Sequence, residues 1–276
     1  MKKILFPTDF SEIANNAFMY ALKVAKVYDA EVVVLHIFEL PNLTYTQLPD
    51  NLLEIYNSVE IDQFENFKDY VPYLRELAEK HNLGGVKMSH VLKHGNLTGA
   101  LKEVIQQEHI DFVVMGTKGA SGRIEVFLGT NTSGIITDLP VMVLAVPDEA
   151  KFTEIKNIGF ATTFSDRDSI ALMKVVNFAT MFGATVKCIT VKNDMLSISP
   201  SEMERWKKAF ENEPVKFFLI PNDDVKQTIL DFIRGQHIDV FAMPTHKRNF
   251  FKTLFTRSLT QKLSFHTDTP ILSINE

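Results

Sequence analysis

One nine-residue stretch occurs twice in this chain, and that repetition constrains the fold more than any other feature. His109-Ile110-Asp111-Phe112-Val113-Val114-Met115-Gly116-Thr117 matches His237-Ile238-Asp239-Val240-Phe241-Ala242-Met243-Pro244-Thr245, with five of nine positions identical. Further upstream, Lys3-Ile4-Leu5-Phe6-Pro7-Thr8-Asp9-Phe10-Ser11 matches Asn157-Ile158-Gly159-Phe160-Ala161-Thr162-Thr163-Phe164-Ser165. The ends match as Leu139-Pro140-Val141-Met142-Val143-Leu144 and Thr269-Pro270-Ile271-Leu272-Ser273-Ile274. Self-similarity of this kind marks repeated structural units. Two homologous domains are expected, 1–147 and 152–276, with the junction in Pro147-Asp148-Glu149-Ala150-Lys151. The first pair of matches is 128 residues apart (109 to 237) and the second 154 apart (3 to 157), so the first copy carries extra chain. That surplus is placed between Glu39 and Lys80.

Within a copy, short apolar runs alternate with helical patterns. Lys3–Phe6 reads as a strand, and Ile13, Ala14, Ala17, Phe18, Ala21, Leu22 and Ala25 fall on one helical stripe. Glu31–Phe38 is a β-branched strand, Glu65–Lys80 a helix with a break or kink at Pro72, and Val86–Leu92 a strand. Thr98–Glu108 reads as a helix with Thr98 as its N-cap; Phe112–Met115 is a strand, Asn131–Thr137 a helix and Val141–Val146 a last strand. Strands this apolar, interleaved with helices, belong in a parallel sheet covered on both faces. The fold class is therefore α/β, with two tandem doubly wound parallel-sheet domains. The stretch Glu39–Phe64 is expected to be a helical cover over a site or a dimer surface, and the sequence does not choose.

At 276 residues, 45% hydrophobic and 23% charged, the chain can build its cores without staples. A net charge of −5 argues against bulk electrostatic binding to nucleic acid or an anionic membrane. No apolar run reaches the ~20 residues of a membrane helix, and the start is too short for a signal-peptide core. A cytoplasmic location is expected, and the single cysteine, Cys188, reads as a buried inert thiol.

The loop after the Phe112–Met115 strand carries the chemistry. Gly116-Thr117-Lys118-Gly119-Ala120-Ser121-Gly122 is followed by Gly129-Thr130-Asn131-Thr132-Ser133. Glycines let the backbone approach a ligand closely, and their N–H groups can converge on an anion. Gly129-Thr130 precedes a predicted helix, whose N-terminus offers further N–H groups. Open α/β sheets hold ligands at the carboxyl ends of their strands, where Gly116 stands. A triphosphate suits such a cradle. The spacing is neither the P-loop nor the dinucleotide-binding pattern.

The spacing Gly116, two residues, Gly119, nine residues, Gly129-Thr130 resembles the ATP-binding motif of the universal stress protein family. Ile4-Leu5-Phe6-Pro7-Thr8-Asp9-Phe10-Ser11, Leu35-His36-Ile37 and Asp138-Leu139-Pro140-Val141 are similar to that family's landmarks as well. The resemblance implies an adenine-nucleotide alpha-hydrolase-like fold and ATP as ligand, with ADP or AMP as alternatives. It implies that Asp9 contacts the adenosine part, that the backbone of Ile37 meets the adenine edge, and that Met115 and Gly116 lie beside ribose and phosphate. Gly119, Gly129 and Thr130 would cradle phosphate, with Asn131 following on the helix. Pro7 and Thr8 would wall the pocket. Lys118 and Arg123 either neutralise phosphate or are simply solvated. Mg2+ would be held by phosphates and water, since no carboxylate cluster accompanies the loop. Self-association through the last strands, within the chain or between chains, is also implied.

The second copy lacks these features. Gly116, Gly119 and Gly129 align with Pro244, Lys247 and Arg257, and Asp9 with Thr163. ATP binding is therefore expected in the first copy alone. The aligned loop, His246-Lys247-Arg248-Asn249-Phe250-Phe251-Lys252, is basic and aromatic, which suits an anion, an acidic protein partner or solvated charge over core phenylalanines. Lys87-Met88-Ser89-His90 lies in a predicted strand and is read as a chance match to a synthetase loop, and His36 as a satisfied core histidine. No metal-ligand spacing and no nucleophile elbow occur. The leading function is a nucleotide-dependent regulatory protein for an unidentified protein partner. A weak ATPase or adenylyl-transfer enzyme and a non-nucleotide-binding scaffold stay open.

Overall fold

The computed structural model describes residues 1–40, 52–117, 138–152, 154–192, 199–245 and 268–275. Its contacts divide it into two compact units, Met1–Met115 and Gly116–Glu276.

In the first unit β1 (Lys3–Thr8) leads to α1 (Glu12–Tyr28), β2 (Glu31–Phe38), α2 (Leu52–Lys80), β3 (Met88–His94), α3 (Leu97–Gln107) and β4 (Phe112–Gly116). The strand order is β3-β2-β1-β4, every pair parallel. Ser11 caps α1 by accepting from the Ala14 N–H at 3.2 Å, and Asp29 ends it in the left-handed region at φ 49°. Ala14, Ala17, Phe18, Ala21, Leu22 and Ala25 of the predicted stripe are buried. Two local expectations fail. Asn96, not Thr98, caps α3, because its side chain accepts from the Gly99 N–H at 2.9 Å. And of the break or kink expected at Pro72, the break is absent: α2 runs on through this exposed residue. At an exposed position water can serve the carbonyl one turn back that proline leaves unbonded, so the helix persists.

The second unit contains β5 (Met142–Val146), β6 (Asn157–Ala161), α4 (Asp166–Phe182), β7 (Thr185–Lys192), α5 (Pro200–Ala209), β8 (Val215–Pro221), α6 (Val225–Gly235), β9 (Val240–Pro244) and β10 (Ile271–Ile274). Its order is β5-β10-β9-β6-β7-β8. All pairs are parallel except β5 with β10, which run antiparallel through Ile271↔Ala145, Leu272↔Leu144 and Ser273↔Val143. β5 ends just before the junction expected at 147–151, and its ladder binds it to β10. Among the described residues no helix is long and apolar enough to cross a membrane.

Positions that the sequence aligns share backbone features. Phe10 and Phe164 have φ of 64° and 62°, and His109 and His237 have 53° and 51°. Ser11 and Ser165 both cap helices. Asp111 accepts from the Lys3 N–H, and Asp239 from those of Lys156 and Asn157, all at 2.8 Å. One core pair has exchanged volumes. Leu5 pairs with Val113 between β1 and β4, whereas Gly159 pairs with Phe241 between β6 and β9. A Cβ on Gly159 would lie 2.5 Å from Phe241 Cδ2 and 3.1 Å from Ile238 Cγ2, both in fully packed surroundings. Gly159→Ala should lower stability by about 1–3 kcal/mol. In Gly159→Ala/Phe241→Leu the loss should be smaller than the two single losses together; urea denaturation of the four chains measures that coupling.

Candidate functional site

The predicted ligand contacts at the start of the chain sit where three adjacent parallel strands of the first unit end. Pro7 and Thr8 are the last residues of β1 and are buried; Asp9 follows, half-buried. Ile37 is the penultimate residue of β2, also half-buried, and Met115 lies near the end of β4, fully buried. Gly116 ends β4 and is buried. The β1–β2 ladder stops at Thr8↔His36, while β2 continues beside β3 through Ile37↔Lys93 and Phe38↔His94. On its β1 side, therefore, the Ile37 backbone has no strand partner in the ladder. Lys118, Gly119, Arg123, Gly129, Thr130 and Asn131 lie outside the described residues, as does the predicted helix 131–137.

The β1–α1 turn is built from short-range bonds. The Phe10 N–H donates to Thr8 Oγ1 at 3.1 Å. Asp9 Oδ1 accepts from the Ser11 N–H at 3.1 Å and from Ser11 Oγ at 2.6 Å. These bonds hold the Asp9 carboxylate at the head of α1, where the helix dipole favours negative charge. Phe10 adopts φ 64°, an uncommon angle for a bulky residue. Its ring is supported by stacking on His36, with centroids 3.9 Å apart and planes 27° apart.

His36 was expected to be a satisfied core histidine, and it is buried with a partner at each nitrogen. Its Nδ1 lies 2.9 Å from the Thr8 carbonyl, so that nitrogen carries a hydrogen, because a carbonyl only accepts. Its Nε2 meets the Gln63 amide of α2 at 3.1 Å. What the sequence did not reveal is that His36 links three elements and carries Phe10. The only signal was a histidine inside an apolar strand.

Helix α2 closes this end of the unit. Phe10 packs against Phe67 at 5.9 Å and Tyr70 at 4.8 Å between centroids. Tyr70 Oη donates to Asn15 Oδ1 at 2.7 Å, and Asn15 Nδ2 donates to Tyr73 Oη at 2.9 Å, which ties α2 to α1. Of the stretch Glu39–Phe64, expected as a helical cover or a dimer surface, the part from Leu52 onward is helical. His90 on β3 meets Phe67 edge-on at 5.9 Å, and burial, with Arg75 nearby, holds its pKa below the usual value.

The aligned turn of the second unit uses different chemistry. Thr163 stands in place of Asp9, and a carboxylate arrives from Asp168, fully buried in the first turn of α4. Asp168 Oδ2 accepts from the Thr163 N–H at 2.7 Å, Thr163 Oγ1 at 3.0 Å and Thr162 Oγ1 at 3.1 Å. Thr190 aligns with His36 and donates to the Thr162 carbonyl at 2.8 Å. Phe164 meets Trp206 edge-on at 5.3 Å, and Trp206 is 3% exposed. Cys188 is buried and burial pushes its thiol pKa up, as an inert cysteine requires. The loop from His246 to Lys252 is outside the described residues.

Similarity to known proteins follows the same line. The family model described as universal stress protein family matches residues 1–147. Universal stress protein MJ0531 of Methanocaldococcus jannaschii is 27% identical over 154 residues, which is 53% of this chain and 83% of that protein. Universal stress protein MJ0577 of the same organism is 24% identical over 152 residues, 52% of this chain and 94% of that one. The crystal structure of a universal stress protein from Archaeoglobus fulgidus aligns over 99% of this chain and 96% of its own, with a TM-score of 0.71 at 18% identity. The mostly parallel α/β fold is thus shared over the whole length.

Two outcomes are expected at this site. His36→Thr keeps a donor for the Thr8 carbonyl, as Thr190 does, whereas His36→Ala leaves that buried carbonyl without one. His36→Ala should therefore lose about 1–3 kcal/mol and His36→Thr less, read from urea midpoints. Burial pushes the Tyr70 hydroxyl up to about 12. An acid whose pKa is raised by folding stabilises fully below its unfolded value of about 10 and loses that contribution as pH rises through about 12. Burial pushes Tyr28 up to about 12 as well, so tyrosinate absorbance should show late-ionising groups of which Tyr70→Phe removes one.

Proposed function

The chain belongs to the universal stress protein family, and from that premise we propose that it is a nucleotide-dependent regulatory protein that binds ATP in its N-terminal part and not in its C-terminal part. One observation carries the reading. Thr8, Asp9 and Ile37 stand at the carboxyl ends of adjacent parallel strands, and the β4 strand leads straight into the glycine spacing of Gly116, Gly119 and Gly129-Thr130.

In this reading the Asp9 carboxylate accepts hydrogen bonds from the adenosine hydroxyl or amino groups. The Ile37 backbone meets the base, and Met115 supplies an apolar surface beside the ribose. Gly119, Gly129 and Thr130 hold the phosphates, with Asn131 at the helix start. Mg2+, when present, is carried by phosphate and water oxygens, and ADP, AMP or cyclic AMP compete for the same cradle. The two halves are tandem copies, and the β5–β10 pairing supports an internal pseudo-dimer through their last strands. The C-terminal copy keeps the turn but fills it from within, with Asp168 on Thr163 and Trp206 on Phe164. Occupancy of the one competent site then changes what a protein partner in the cytoplasm reads.

Among the described residues no cluster of metal-ligating side chains stands near the strand ends. A dedicated general base or arginine finger has no candidate in the motif, which favours slow or no hydrolysis over turnover. Purified protein, denatured and analysed by mass spectrometry, should release about one ATP per chain, or take up one when ATP and Mg2+ are added. Gly119→Val/Gly129→Val should abolish binding, because the added side chains occupy phosphate space. Asp9→Ala should weaken it by about 10-fold to 100-fold, the range of a hydrogen bond to a charged group. An empty chain that takes up no nucleotide would leave the scaffold reading, and pyrophosphate release on adding ATP would favour adenylyl transfer.

A further inference from the structure

Helix α2 is longer than its contacts with the first unit require. Its buried residues are Phe67, Leu74 and Ala78, all in the C-terminal half. Among the described side chains from Leu53 to Asn66, none is buried. Yet that half carries large apolar groups on its outer side: Leu53 is 77% exposed, Ile61 61% and Phe64 54%. At about 100° per residue these three fall within an arc of about 80°. Gln63, Phe67 and Leu74 lie in the adjoining arc, centred about 100° from that stripe, which is the side that packs on the unit. The next arc of the helix surface is acidic, formed by Glu54, Glu65, Asp69 and Asp62, all exposed. Between Leu52 and Tyr70 there are five carboxylates and one ammonium, Lys68, already paired with Glu65 at 3.1 Å. A helix that presents an apolar stripe beside an acidic ridge fits a segment of opposite charge with large apolar side chains.

This chain carries such a segment. His246-Lys247-Arg248-Asn249-Phe250-Phe251-Lys252-Thr253-Leu254-Phe255-Thr256-Arg257 has four fixed cations, no carboxylate and four large apolar residues. The nucleotide reading gives it no role. We propose that the outer face of α2 is a docking surface for the His246–Arg257 segment of a second copy of the chain. Phenylalanines and Leu254 cover Leu53, Ile61 and Phe64, and Lys247, Arg248 and Lys252 meet the carboxylate ridge. The two surfaces differ, so the contact is heterologous and can extend beyond two copies or close into a ring. Charge complementarity sets the partner and makes the contact sensitive to salt, while the apolar stripe supplies adhesion. The inference does not depend on nucleotide binding.

Sedimentation velocity of the full chain tests it. The average mass should rise above the 31.4 kDa of one chain as concentration increases, with a dissociation constant on the order of 10 µM, and fall back at high salt. Glu54→Lys/Glu65→Lys/Asp69→Lys, and separately Lys247→Glu/Arg248→Glu/Lys252→Glu, should each weaken association at least about tenfold. Mixing the two variants should restore it, since each then offers the other an opposite charge, and that recovery also demonstrates that both are folded. Ile61→Ser/Phe64→Ser should weaken association without changing salt sensitivity. A chain that stays monomeric at every concentration, or that associates equally in both charge-reversed variants, overturns the proposal.

Discussion

The arrangement at the end of the first unit depends on one bond, from the His36 imidazole to the Thr8 carbonyl at 2.9 Å. It joins the ends of β1 and β2 where their ladder stops, and a buried carbonyl there needs a donor. Because the donor is an imidazole, its face is available to Phe10 and its second nitrogen to Gln63. Phe10 can then hold φ 64°, which turns the chain so that Ser11 caps α1 and Asp9 is fixed at the helix head. The bond is worth little alone, but strand ends, turn, helix start and α2 all share it.

The second unit solves the same steric problem with other atoms. Thr190 supplies the donor, and Asp168 gathers the amide and hydroxyls of the turn. A threonine has no ring to stack on or second nitrogen to offer, so Phe164 leans instead on Trp206 and Phe217. The backbone is the same, φ 62° against 64°, while its polar groups are spent inside the protein. A shared backbone with divergent side chains is what a turn required by the fold looks like when the carboxylate comes from the turn itself in one version, Asp9, and from the following helix in the other, Asp168.

Much was legible because its causes are local. Apolar periodicity located the strands, and the stripe Ala14 to Ala25 is the buried face of α1. Boundaries were less legible. Asn96 and Thr98 are both good caps, and only the bond to the Gly99 N–H decides between them. Pro72 reads as a break or a kink, and sequence alone cannot tell that at this solvent-facing position the helix continues. Asp9, Ile37 and Met115 were named from a spacing and a resemblance, and their common place at strand ends follows from the parallel order. His36, Gln63 and Tyr70 had no such signal, since their role arises from contacts between residues far apart in the chain.

The sequence alone determined that strands and helices alternate, that one stretch repeats, and that glycines follow β4 but not β9, because each is a matter of residue type and spacing. Only the tertiary structure decided that β5 pairs antiparallel with β10, that Gly159 makes room for Phe241, and that Asp168 rather than Thr163 supplies the carboxylate in the second turn. Strand pairing, volume exchange and hydrogen bonding across a core are relations between distant residues, and no single stretch of chain contains both partners.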